Sequence, residues 1–125
     1  MRPGVVTVAL AASLLAAAAA AQPASPGRYD GQLCVATRPD VQPRCGAAEV
    51  DVSSGHRLSV RVADVVYRLD LREAQLNVTM MQGRMQIDEF SAAYQWKGDT
   101  LLFGDPAKDA RYEIRVGTRR PPARR

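Results

Sequence analysis

Polar and apolar residues alternate with a period of two along most of the chain. Arg57, Ser59 and Arg61 alternate with Leu58, Val60 and Val62, and Arg68, Asp70 and Arg72 alternate with Tyr67, Leu69 and Leu71. A period of two puts successive side chains on opposite faces, so these segments predict antiparallel strands with one wet and one buried face. The same pattern predicts strands over Tyr29 to Ala36, Glu49 to Val52 and, at the end, Tyr112 to Val116. Ser53-Ser54-Gly55-His56 and Ala63-Asp64 supply the turns around the Leu58 strand.

Two further turns predict hairpins. With Gln82-Gly83 as a two-residue turn, Met80 faces Met85 and Val78 faces Ile87, all four on the buried face. A turn within Lys97-Gly98-Asp99 brings Tyr94 and Trp96 against Leu101 and Phe103. Met85 and Ile87 follow one alternation, whereas Phe90, Ala92, Tyr94 and Trp96 follow the other, which predicts a bulge near Asp88 and Glu89. No stretch after the leader carries a helical stripe of ten residues. The expected fold is all-β: an antiparallel meander of about eight strands, closed into a small barrel or folded as a sandwich.

The amino terminus departs from this pattern. Met1-Arg2-Pro3-Gly4 precedes an Ala-rich apolar run ending in small residues at Ala19 and Ala21, the layout of a secretory signal peptide over residues 1–21. Residues 22–27 then read as a linker, 28–117 as the β domain and 118–125 as a basic, solvated tail. Such a leader implies a periplasmic or secreted product with no membrane-spanning segment after processing. In an oxidising compartment Cys34 and Cys45 predict one structural disulfide, which stabilises by about 3 kcal/mol through the loop it closes.

Charge refines the picture. Of 17 Lys and Arg residues, Arg2 lies in the leader and Arg119, Arg120, Arg124 and Arg125 in the tail, leaving 12 basic against 13 acidic residues between them. The domain is therefore near neutral, and nothing in its charge points to a specific nucleic acid. The tail predicts only a weak, salt-screened contact with anionic surfaces.

The chemistry-bearing residues are few. His56 is the sole histidine and sits in a turn beside Ser53 and Ser54, where nearness along the chain does not supply the geometry of a hydrolytic triad. Met80, Met81 and Met85 contain the soft donors of a copper(I) site, but the hairpin register assigns Met80 and Met85 to core packing. Adjacent Asp88 and Glu89 point to opposite faces of a strand, and a bulge there makes one of them a candidate buried carboxylate. No catalytic set, metal site or cofactor is expected. Gly27-Arg28-Tyr29 resembles the G-x-W opening of the lipocalins, over three residues and with Tyr in place of Trp. That resemblance implies an exported barrel carrying a small apolar ligand.

The inward-facing candidates are mostly large, so a barrel of about eight strands is filled by its own side chains. Function is then expected on the outside. The candidate binding residues are Arg38 and Arg44, in the loop pinned by the disulfide, and Arg61, Arg68 and Arg72, whose guanidinium groups suit acidic partners. The sequence thus predicts a non-catalytic binding protein of the cell envelope or secretome, acting through surface loops on a protein or envelope component, enzyme inhibition included. A lipocalin-like carrier is the alternative.

Overall fold

The computed structural model describes residues 25–38 and 40–121. The predicted signal peptide, residues 22–24 of the linker and residues 122–125 of the tail lie outside the described residues. Among the described residues nine strands follow one another: β1 (Gly27–Ala36), β2 (Arg44–Ser54), β3 (Arg57–Val62), β4 (Val65–Leu71), β5 (Leu76–Gln82), β6 (Met85–Ala92), β7 (Tyr94–Lys97), β8 (Thr100–Asp105) and β9 (Ala110–Arg119). Among the described residues no helix is long and apolar enough to cross a membrane.

All the strands form one antiparallel sheet in the order β6-β5-β4-β3-β2-β1-β9-β8-β7, curled into a nearly closed barrel. Every strand pairs with its chain neighbour except β6 with β7, and β1 pairs with β9. Strands β6 and β7 are two halves of one path separated by Ala93; the first half bonds to β5 and the second to β8. A strand that changes partner at a bend is how a small sheet turns a corner and closes. This path explains why alternation suggests about eight strands where nine are present.

Alternation becomes burial as expected for most of the chain. Val50, Val52, Leu58, Val60, Leu69, Leu71, Leu76, Val78, Leu101 and Ile114 are all buried, several with no exposed surface. Tyr94 opposes Phe103 and Trp96 opposes Leu101, the expected aromatic register.

The β5–β6 hairpin differs from expectation. Its turn is Gly83-Arg84, so Met85 opposes Gln82 rather than Met80. Gly83 has φ 62°, as the first position of a type II′ turn requires, and glycine adopts that conformation without a Cβ clash. The offset carries Met85 beyond the core, where it is 63% exposed. The register shifts again between Met80, opposite Asp88, and Met81, opposite Gln86. Ile87 is the extra residue of that bulge and is 44% exposed, so neither Met85 nor Ile87 belongs to the core. From Asp88 onward the strand is in step, with Phe90 opposite Val78.

The domain also ends later than its composition suggests. Between Tyr29 and Gly31 the β1–β9 register shifts, and β9 continues through Thr118 to Arg119. A Cβ on Gly117 would lie 2.3 Å from the Asp30 carbonyl oxygen, so this close crossing of two backbones requires glycine. Beyond it, the Arg120 amide donates to the Arg28 carbonyl at 2.7 Å. Thr118 and Arg119 of the supposed tail thus belong to β9, Arg120 is tied to β1 by its amide, and β1 itself begins at Gly27.

Candidate functional site

The outer face of β2 to β5 is a grid of polar side chains, because one member of every alternating pair faces outward. In one row Arg28 lies opposite Asp51, Asp51 opposite Ser59, Ser59 opposite Arg68 and Arg68 opposite Thr79. In the next row Arg57 lies opposite Asp70 and Asp70 opposite Asn77. On the other side of Ser59, Arg61 lies opposite Glu49. Half-buried Ser59 therefore has Arg57 and Arg61 along its own strand and Arg68 beside it.

Three carboxylates surround the same arginines, yet each is engaged elsewhere. Arg72 Nη2 donates to Asp70 Oδ2 at 2.9 Å. Arg120 binds Glu49 at 3.3 Å and Asp30 at 3.0 Å. Arg28 Nε is 4.0 Å from Asp51. Among the described residues, no ion pair includes Arg57, Arg61 or Arg68. Cross-strand neighbours of opposite charge ordinarily pair with each other. Here outer cations hold the acids and leave three exposed guanidinium groups around a floor of small polar side chains. Two surface dents meet at Ser59: one of about 380 Å³ includes Arg57, Arg68, Asp70 and Thr79, and one of about 280 Å³ includes Arg28, Arg61 and Arg120.

The structure brings only part of the expected set together. Arg61 and Arg68 are diagonal neighbours on this face. Arg72 lies at its lower margin and acts on it through Asp70. Arg38 and Arg44 are exposed in and beside the β1–β2 loop; Arg44 precedes Glu49 by five residues on β2, about 17 Å at 3.3–3.4 Å per residue. Cys34 and Cys45 are opposite partners on β1 and β2 joined by the expected disulfide. The set expected from sequence omits Arg57 and Arg120. The first carries the same alternation as Arg61; the second was hidden in a segment that composition assigns to solvent.

The Asp88-Glu89 pair differs from expectation too. Glu89 is exposed, and Asp88 is half-buried in an ion pair with Lys108 of the β8–β9 turn. The hydrogen bond from Lys108, followed by one from the Glu89 amide, holds the Asp88 carboxyl below its ordinary range. Among the described residues the buried carboxylate is Asp105, 3% exposed, whose Oδ1 accepts from the Ala107 amide at 3.1 Å. The Asp-Pro pair at 105 and 106 is its sequence signal, since Asp caps a turn of this kind.

Inside the barrel, Tyr112 stacks on Phe103 at 5.0 Å and Phe90 at 5.8 Å, with Tyr67 edge-on at 6.1 Å. Burial, then the nearby Tyr67, Asp105 and Asp88, pushes the Tyr112 hydroxyl up to about 12. It stays protonated and neutral at physiological pH. His56 lies in an exposed turn with Nδ1 3.4 Å from the Ser54 hydroxyl. Met80 and Met81 are half-buried on opposite faces of β5, and Met85 is outside the core, so the three sulfurs do not converge. Comparison with protein-family models, curated proteins and solved structures returns no match.

Proposed function

We propose that this protein is an exported, non-catalytic binding module, periplasmic or secreted, that docks an acidic partner on the outer face of β2 to β5. One observation carries the reading: Arg57, Arg61 and Arg68 stand together without acid partners among the described residues, while Asp70 and Glu49 are held by Arg72 and Arg120 and Asp51 lies 4.0 Å from Arg28. The strand scaffold fixes the spacing of the arginine stems, and their planar forks suit carboxylate, phosphate or sulfate groups. The filled interior supports placing the site outside, since Val60, Leu76, Val78, Leu101 and Ile114 have no exposed surface. The disulfide and the leader-like amino terminus support export. The partner is a protein or envelope component with a negatively charged surface.

The test compares wild type with Arg61→Glu/Arg68→Glu and with Arg38→Glu/Arg44→Glu as immobilised baits for envelope extract and culture fluid. Acidic partners released by salt and lost only in the first variant, at an unchanged melting temperature, are the expected result. Capture indifferent to that variant overturns the reading, and loss confined to the second variant moves the site to the disulfide loop.

A further inference from the structure

We infer that the dent between Arg57 and Arg68 is a site for one tetrahedral oxyanion, a phosphate or sulfate group, free or as a monoester on the partner. The inference rests on the proposed anion-binding face and names the chemistry of its centre. Arg57 and Arg68 are diagonal neighbours on β3 and β4, with Cβ atoms within about 8 Å. Guanidinium groups on stems of that separation reach a single anion from two sides. The floor consists of the short hydroxyl side chains of Ser59 and Thr79, which flank Arg68 in the register. A planar carboxylate satisfies one guanidinium fork with its two oxygens. A tetrahedral group presents further oxygens in other directions, so it accepts from both arginines and a hydroxyl at once. The dent, about 380 Å³, admits such a group with its first waters.

One carboxylate lines the dent. Asp70 lies opposite Arg57 in the register, and unrestrained it would pair with Arg57 and repel an anion. Instead it accepts from Arg72 Nη2 at 2.9 Å. Arg72 is thus a positioning residue: it keeps Asp70 neutralised and Arg57 available. This role also accounts for an arginine at the margin of the face rather than within it.

The experiment titrates inorganic phosphate, inorganic sulfate, phenyl phosphate and acetate separately into the isotope-labelled exported protein and follows the amide resonances of Ser59, Arg68 and Thr79. Saturable shifts at these three amides with the tetrahedral ions, and only linear drift with acetate, are expected. Phenyl phosphate binding at least as tightly as inorganic phosphate identifies an ester as the natural form; the reverse order identifies the free ion. Arg57→Gln and Arg68→Gln should each weaken binding about tenfold or more. Arg72→Gln should weaken it several-fold, and Asp70→Asn in that background should restore it, a rescue that a merely structural arginine would not allow. Absence of saturation with every tetrahedral ion, or equal saturation by acetate, overturns the site. If the Arg61→Glu/Arg68→Glu variant still loses its acidic partners in that case, the wider binding face stands without the oxyanion. Saturable phosphate binding with partner capture unaffected by that variant has the opposite meaning.

Discussion

The Asp88 carboxylate, on the edge strand β6, pairs with the Lys108 ammonium, in the β8–β9 turn, across the line where the barrel wall lacks a backbone ladder among the described residues. Beneath this pair, Phe90 of β6 packs against Phe103 of β8 at 6.3 Å. The seam is therefore closed by side chains: aromatic stacking inside and one ion pair at its edge.

That pairing predicts a pH dependence. The Asp88 carboxyl is held below 3.8 in the fold, chiefly by the Lys108 hydrogen bond, so the pair's stabilisation is present above that pH and is lost as pH falls through the folded value. Lys108 is raised above 10.5 by the same bond, so the alkaline loss begins only beyond that value. Lys108→Met should lower the melting temperature modestly at neutral pH, as for exposed pairs generally. The difference from wild type should shrink as the pH drops below 3.8. A gap that stays constant down to strongly acidic pH would show that Lys108 contributes through packing alone.

The carboxyl end provides a second test. Truncation after Gly117 removes the last pairing of β9 with β1, the Arg120 amide bond to Arg28 and the ion pairs to Asp30 and Glu49. Two or three lost backbone bonds at about 1 kcal/mol each should lower stability by about 2 kcal/mol, visible as a shift of several degrees in a thermal melt. Truncation after Pro121 leaves every one of these contacts in place and should change little. Equal melting of the two truncations would mean that the end of β9 does not dock in solution.

Most of the strand order was legible because each outward polar residue marks its own face: Arg57, Ser59 and Arg61 locate β3 as surely as Leu58, Val60 and Val62. What escaped were offsets of one residue. Gln82-Gly83 and Gly83-Arg84 are equally plausible turns by composition, and only the choice between them decides whether Met85 meets Met80 or Gln82. The bulge, expected near Asp88 and Glu89 and found at Ile87, then switches the alternation, so Phe90 and Ala92 face inward as expected although their partners differ. The arginine face was half legible for a related reason. Alternation marks Arg61 and Arg68 as outward, but whether an arginine has an acid partner depends on Arg72 and Arg120, which reach across from other positions.

The β3–β4 turn holds a non-glycine residue in a left-handed conformation: Ala63 has φ 55°. That region costs an L-residue about 1–2 kcal/mol, whereas glycine loses about 0.5–1 kcal/mol of chain entropy on folding. Ala63→Gly should therefore stabilise the protein by about 0.5 kcal/mol, one of few glycine substitutions expected to do so. Chemical denaturation at constant slope reads the change directly. A lower midpoint would mean that the methyl group of Ala63 makes a packing contribution larger than the conformational relief.

The hairpin register makes the last prediction. Val78 is fully buried opposite Phe90, whereas Met85 and Ile87, nearby on the partner strand, stand largely in solvent. Removing two methyl groups from a closed core leaves a cavity that the surrounding barrel cannot fill, so Val78→Ala should cost about 2 kcal/mol. Met85→Lys and Ile87→Lys place a charge where water already reaches and should each change stability by less than about 0.5 kcal/mol. They should also improve solubility, because Met85, Ile87 and Val41 are the large apolar side chains most exposed among the described residues, and two of the three lie on an edge strand. The alternative register, with Gln82-Gly83 as the turn, buries Met85 against Met80 and Ile87 against Val78. In that arrangement either lysine would unfold the domain, so a cooperative melt near the wild-type temperature for both lysine variants decides between the two registers.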